Sequence, residues 1–240
     1  MEEMGIYLDA IRFLTGTIIL FYASYTDIKT RRASNYLWFI MSITGAVILL
    51  IQYLTIGFGQ YIMYLIFIPI MIGMMYLFFQ LRLIFGGADA KALMSIAILA
   101  PLQPEILEFP LLKGSPMPFS WSIFSNSVLI FLVIPISLLI LNLIRRNIEF
   151  PYLFIGYKMD VEKALKKFVW PLDRIIDGKR KFTYMPSEFD AEEEIIALQN
   201  FGLKNIWVTP KIPFMIPLLA GFICAFIFGD MLYILMNLLF

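Results

Sequence analysis

The sequence predicts a membrane all-α fold: a six-helix transmembrane bundle with a small cytoplasmic α+β insertion between helices 5 and 6. Three observations lead there. Of the 240 residues, 60% are hydrophobic and only 15% charged, where soluble globular chains average about 25% charged. Mean hydropathy is +0.82, and the apolar residues come in long runs, not short periodic bursts. One stretch, 147–211, breaks that pattern and holds 10 of the 18 acidic residues.

A spanning helix takes about 20 mostly apolar residues to cross a hydrocarbon core of roughly 30 Å. The first span is 7–24. Its acidic start, Met1-Glu2-Glu3, and the lack of a small-residue cleavage site read as a retained helix and not a signal peptide. Segments 36–53, 61–79 and 121–144 follow as the second, third and fifth spans, and 212–228 is the last, with apolar residues continuing to the C-terminus. The fourth is weak. Segment 92–102 has 11 residues, about 17 Å as helix. It spans only by starting near Gly86, which lengthens it to about 26 Å and draws Asp89 and Lys91 roughly a turn inside the boundary. The domains expected are 1–146 for helices 1 to 5, 147–211 for the insertion and 212–240 for helix 6.

Lys and Arg gather in cytoplasmic loops, and here their placement sets the orientation. Lys29, Arg31 and Arg32 occupy the first loop, Arg82 and Lys91 the third, while Arg145, Arg146 and Lys211 flank the fifth. The other side has Lys113, plus Arg12 just inside the first helix with Asp9 three residues earlier as partner. Six spans therefore put both termini outside and the first, third and fifth loops in the cytoplasm; five would spoil the asymmetry. Within the insertion, 161–168 and 191–201 have helical apolar spacing, with Gly202 as a C-cap. Segments 181–185 and 205–209 have the β-branched and aromatic content of strands.

Composition also excludes chemistry. The chain has one cysteine, Cys224, and no histidine, so a Cys-x-x-Cys site, a Ser-His-Asp triad and an HExxH zinc helix are all impossible. No cofactor and no metal are expected. A net charge of +1 gives no electrostatic case for nucleic acid.

Ionisable residues at membrane depth are costly and so are functional candidates. Asp27 follows the first span and Asp89 opens the fourth. The orientation above puts both at the cytoplasmic boundary, although 62 residues separate them. Two adjacent carboxylates share a proton, so the ionised member can deprotonate water while the protonated member polarises a peptide carbonyl. Gly86, Gly87 and Ala88 leave room for a close approach of backbone. On the residues alone, a solvated interfacial acid or a helix cap remains the commoner origin of such a position, and Asp230 reads as one of these. Ser24, Ser34 and Ser95 have no spacing to Lys29 or Lys91 that selects a Ser-Lys dyad. Rival functions are a proton- or solute-coupled transporter using the same acids, and an assembly scaffold; transporters commonly have duplicated halves, and no internal repeat is visible here.

The stretch Gly86-Gly87-Ala88-Asp89-Ala90-Lys91 resembles the GxGD motif, with its trailing Lys, of the type IV prepilin and preflagellin peptidases, a family of GxGD membrane aspartyl proteases. Asp27 followed by Lys29, Arg31, Arg32 and Asn35 resembles that family's first aspartate region. The order of parts along the whole chain is also similar, with Val208-Thr209-Pro210-Lys211-Ile212-Pro213-Phe214 before the last span, and it is most like the archaeal preflagellin peptidases. Ala88 replaces the second motif glycine, and Ser34 replaces the proline of a Pro-Asn pair; neither change removes a group from the acid pair. The resemblance implies an aspartic endopeptidase of the cell membrane, in contact with the lipid bilayer and active at its cytoplasmic face. Asp27 and Asp89 would be catalytic, with Gly86, Gly87 and Lys91 in support. Its partners would be preflagellin and type IV pilin-like precursors, whose short basic leaders it removes. With no cysteine pair, the methylating activity of some bacterial relatives is not expected.

Overall fold

In lipid every backbone N–H and C=O must be paired within its own segment, so long apolar runs become helices. The computed structural model describes residues 2–84, 86–104, 106–112, 114–183 and 191–239. Met1, Lys113 and the last two residues of the expected strand 181–185, used in the reading above, lie outside the described residues. The chain forms two units, one from its residues up to Phe131 and from Pro213 onward, the other Leu132–Ile212.

In the first unit, α1 runs Glu2–Thr30. It therefore outlasts the apolar segment, and Asp27 sits in its last turn and not beyond it. Tyr25 to Thr30 contain no Gly or Pro to stop a helix; the end comes at Arg31, whose φ of 54° is left-handed. Ser34 caps α2, Asn35–Thr55, by accepting from the Tyr36 N–H. The buried face of α2 is Trp38, Met41, Gly45 and Ile48, steps of three and four residues that keep to one side of a helix. A 3₁₀ turn, Gly59–Ile66, leads into α3, Phe67–Gln80. Next comes α4, Gly87–Leu99, of 13 residues, about 20 Å long. It packs against α1, α2 and α3 and, across the bundle, against α5, Phe119–Phe131. Ala90, Ala92, Leu93, Ser95, Ile96, Ala97 and Leu99 are buried. Packing within the protein on this many sides explains its small residues and weak apolar signal. Contact is closest at Gly45, where an added Cβ would lie 2.6 Å from the Leu99 Cα.

The second unit opens with α6, Val133–Ile144. The expected fifth span lies within one long helix, Phe119–Ile144, whose hydrogen bonding is interrupted locally near Leu132, because Pro135 has no N–H to return to Phe131 and its ring crowds that carbonyl. After α6 come the short α7, Tyr152–Ile155, and β1, Tyr157–Asp160. Asp160 caps α8, Val161–Ala164, which is shorter than the helix expected over 161–168 because the chain is drawn at Val169 into β2, Val169–Pro171. A hairpin of β3, Asp173–Ile176, and β4, Lys179–Phe182, turns at Asp177-Gly178, where both φ angles are positive, 54° and 68°, as a type I′ turn demands. Helix α9, Glu192–Asn200, ends before Gly202 at φ 93°, the C-cap expected of it. Strand β5, Asn205–Pro210, lies between β1 and β2 in an antiparallel sheet. Val161, Ala164, Val169, Ile195, Leu198, Ile206 and Val208 form this unit's core.

Back in the first unit, α10, Met215–Phe228, and α11, Met231–Leu239, are bent by 67°. The last span does not run straight on, because Gly229 adopts a φ of 88° that ends α10. By length and composition, among the described residues, four helices can cross a membrane: Glu3–Thr30, Asn35–Thr55, Ile62–Gln80 and Phe119–Ile144; the bent pair makes a fifth if taken as one. Alone, α4 is too short to be counted among them.

Two polar clusters lie inside the helices. Arg12 pairs with Asp9, as expected, and also donates to Gln52 Oε1 at 2.6 Å. Asp230, expected as a capping or solvated acid, does cap α11 by accepting from the Tyr233 N–H, but it is buried and also accepts from Ser115, Ser122 and Ser125.

Candidate active site

Two helix ends carry the site. Asp27, in the last turn of α1, and Asp89, in the first turn of α4, are each half-buried. The sequence separation does not keep them apart: the two carboxylates lie close enough for their charges to interact directly. Each has a different setting. Asp27 accepts a hydrogen bond from the Met215 N–H and has Arg31 as its neighbouring cation. Ser24 Oγ donates to the Met215 carbonyl at 2.9 Å, so two side chains one turn apart on α1 hold both polar groups of the residue that begins α10.

Asp89 is built differently. Its N–H donates to the Gly86 carbonyl at 3.0 Å, and its side chain folds back over Gly86. A Cβ at position 86 would collide with Asp89 Oδ2 and stand 2.8 Å from Cγ. The glycine is there to leave that volume to the carboxylate. Gly87 is under no such constraint, since a Cβ there would meet the Phe79 ring at 3.5 Å, ordinary van der Waals contact. Among the described residues no hydrogen-bond donor meets the Asp89 carboxylate, although a helix start offers free N–H groups.

Lys91 does not reach the acids. Its Nζ donates to Asn35 Oδ1 at 2.9 Å, tying the start of α4 to the start of α2. Ser95 Oγ, a turn further on, donates to the Lys91 carbonyl at 2.8 Å, with the Trp38 carbonyl at 3.1 Å. The basic residue after the second aspartate is thus joined to the asparagine after the first.

The residues of this site fall in a recognisable family. Residues 14–143 match the type IV leader peptidase family, and 148–231 match the archaeal peptidase A24 C-terminus, type II. The chain belongs to the type IV leader peptidase family. It is similar over most of its length to three proteins named preflagellin peptidase. That of Methanocaldococcus jannaschii is 30% identical, covering 92% of this chain and 94% of its own. Those of Methanococcus voltae and Methanococcus maripaludis are 28% and 27% identical, each covering 92% of this chain and 96% of its own. As a leader-peptidase family member with several apolar spanning helices, the chain is a multi-pass membrane protease. Both Asp27 and Asp89 lie inside the first matched region.

Of the partners of Asp27, Arg31 belongs to the motif region, but Met215 was not legible there. Met215 acts through its backbone, which no residue type announces; the nearest signal is the resemblance at Val208 to Phe214, which ends one residue before it. A cavity beside Asp230, away from the acid pair and lined also by Gln103, Pro104 and Ser115, has a volume of about 110 Å³, which suits a few waters, not a polypeptide.

Proposed function

We propose that this chain is an aspartic endopeptidase that removes short basic leader peptides from preflagellin or type IV pilin-like precursors at the cytoplasmic boundary of the cell membrane, with Asp27 and Asp89 as the acid pair. One observation carries the reading: carboxylates from two distant helix ends fall within electrostatic range, and one of them is folded over a glycine that makes room for it. Relatives named preflagellin peptidase that align over nearly the whole chain support the substrate class.

The chemistry follows from the pair. One carboxyl holds the shared proton while the other is ionised. The ionised member takes a proton from water, whose oxygen bonds to the scissile carbonyl carbon; the protonated member gives its proton to the carbonyl oxygen. The resulting diol then collapses. The carboxyl that took the water proton passes it to the leaving nitrogen, the C–N bond breaks, and a diol hydroxyl returns a proton to the carboxyl that had given its own to the carbonyl oxygen. The pair ends in its starting charge state.

In this proposal six elements cross or enter the membrane: the four long helices, the bent α10–α11 pair and the short α4. Both termini lie outside, and the 147–211 insertion faces the cytoplasm. The precursor's apolar helix partitions into the bilayer while its basic leader stays in water, so the bond between them lies at the level of the acids. A glycine before that bond gives an extended, accessible backbone, and a single cut directly after it is expected.

The test uses purified protein in detergent with a leader-bearing precursor. Asp27→Asn and Asp89→Asn keep size and hydrogen bonding but cannot cycle a proton. Each should remain folded and lose leader cleavage, read by mass spectrometry of the product. Substantial turnover by either folded variant would remove that residue from the mechanism.

A further inference from the structure

The end of α6 is not left bare. Within the second unit the chain passes Arg145 and Arg146, turns back through a left-handed residue at Arg146, φ 56°, and packs α7 beside α6. Asn142 fixes that return. It is fully buried, and its amide donates to the Leu153 carbonyl at 3.0 Å and to the Gly156 carbonyl at 2.6 Å. Asn142 lies three residues before Arg145, about 4.5 Å back along the helix axis. The hook 147–155 is thus drawn back to the level of the last apolar turn of α6, the end of a segment apolar and long enough to cross a bilayer.

The outward side of this hook is apolar. Phe150 is 84% exposed, Ile148 66% and Phe154 41%, and the rings of Phe150 and Phe154 meet edge to face at 6.5 Å. Inward, the same segment is polar and fully engaged. Glu149 accepts from Trp207 Nε1 at 2.8 Å and pairs with Lys158; Tyr152 donates to the buried Asp173 at 2.6 Å. Ile148, Phe150 and Phe154 thus face out, while Glu149 and Tyr152 are bonded to the unit. In water two exposed phenylalanines and an isoleucine on one short hook gain nothing. Beside the end of a membrane helix, with Arg145 and Arg146 exposed at the position where basic residues meet lipid headgroups, they match an interfacial anchor.

We propose that 147–155 is a membrane-interface hook, with Ile148, Phe150 and Phe154 inserted at the boundary between lipid headgroups and acyl chains, so that the second unit is seated on the membrane surface and not merely tethered above it. The proposal is independent of the acid pair. It explains a buried asparagine in an otherwise apolar helix, which would be costly without the two carbonyls it satisfies.

The test is nitroxide depth measurement on the full chain in liposomes, with Cys224→Ser as the background. Labels go at F150C, at F154C and, as an aqueous reference, at D177C in the β3–β4 turn. Labels at 150 and 154 should collide with oxygen several-fold more readily than with a water-soluble nickel chelate, and the label at 177 should show the reverse order. The same F150C label in an Asn142→Leu background should move toward the aqueous pattern. Nickel accessibility at 150 and 154 equal to that at 177 would overturn the proposal. So would shielding of both positions from both reagents, which would mean that protein covers the hook.

Discussion

Carboxylates occur within the helical unit in two contrasting settings. Asp230 is 4% exposed and surrounded by donors: Ser115 Oγ at 2.9 Å, Ser122 Oγ at 3.3 Å, Ser125 Oγ at 3.5 Å and the Tyr233 N–H at 3.1 Å. Asn126 completes the junction by donating to the Gly229 carbonyl and accepting from the Met231 N–H. Asp9 is treated alike, with Arg12 against it. Asp89, by contrast, meets no donor among the described residues and has another acid, Asp27, beside it. A buried carboxylate that only holds structure together has its lone pairs filled, because an unfilled one costs stability. One left unfilled next to a like charge does not serve packing, and such sites concentrate where chemistry is done. Donor supply thus separates Asp89, though not Asp27 with its Met215 N–H, from the carboxylates that brace this fold.

The sharpest attempt to break that contrast, after removal of the acids themselves, is a single methyl group. Gly86→Ala puts a Cβ into the volume of Asp89 Oδ2, so the carboxylate must leave its position. Displacement of a reacting group by an ångström can lower turnover about 100-fold, and a loss of at least that order is expected with helix content unchanged. Gly87→Ala adds the same methyl at 3.5 Å from Phe79 and should leave cleavage within about twofold, since an ordinary contact is made and nothing is displaced. Equal losses in the two variants would mean that small size along the helix start, not room for Asp89, is what matters.

At the other carboxylate the effects should exchange places. Asp230→Ala strips the acceptor from the Ser115 and Ser122 hydroxyls and from the Tyr233 N–H, while Ser125 keeps the Ser122 carbonyl at 3.1 Å. Leaving buried donors unsatisfied costs about 1–3 kcal/mol, so the variant should denature more readily in a detergent melt while cleavage per folded molecule stays unchanged. Asp230→Asn retains one acceptor oxygen, and the serine hydroxyls can rotate to accept from its amide, so its loss should be smaller. A stable but inactive Asp230→Ala would erase the distinction between the two acid sites.

Much of this arrangement was readable in the residues, and the limits have physical causes. Asp27 and Asp89 stand out in the sequence as acids beside long apolar runs, and the structure brings the two carboxylates within range of each other. Gly86 was legible as a small residue; that its missing Cβ is occupied by Asp89 Oδ2 required the fold. Apolar length is a poor guide to where a helix stops, so α1 was ended six residues short of Thr30. It also fails for a helix packed within the protein on several sides, which is why α4 looked weak. The role of Asp230 was hidden because its partners, Ser115, Ser122 and Ser125, belong to a distant segment. The serines at 120, 122, 125 and 127 with Asn126, polar residues clustered in an apolar run, were the available signal.

A smaller effect is expected at Lys91. Its ammonium bonds Asn35, and Arg31 is the cation acting on Asp27. Lys91→Met should therefore loosen the α2–α4 junction without altering the proton chemistry of the pair. One exposed hydrogen bond is worth about 0.5–1.5 kcal/mol, so a few-fold decrease in rate with an unchanged pH–rate profile is expected. Asn35→Ala should reproduce it, and the double variant should be little worse than either single one. A shifted profile in Lys91→Met would bring the lysine into the electrostatics of the pair.

The smallest expected effect asks whether the donor rule still holds outside the bundle, where water competes. Glu149 accepts from Lys158 and from Trp207 Nε1, and these hydrogen bonds, more than the opposing burial, hold its carboxyl below the usual value of 4.5. A carboxylate with a depressed folded-state pKa stabilises fully above its unfolded value, and that contribution is lost as pH falls through the folded one. Glu149→Gln keeps an acceptor for Trp207 but removes the charge opposite Lys158. The variant should therefore melt slightly below the parent near neutral pH, and the gap should close as pH falls below about 4.5, where the parent's carboxylate becomes protonated as well. Because the Glu149 side chain is 46% exposed, screening by water keeps the gap small. Tryptophan fluorescence melts across that range measure it directly, since Trp207 is the donor. A gap that persists undiminished in acid would mean that Glu149 acts by shape, and that donor supply marks structural carboxylates in this chain only where lipid excludes water.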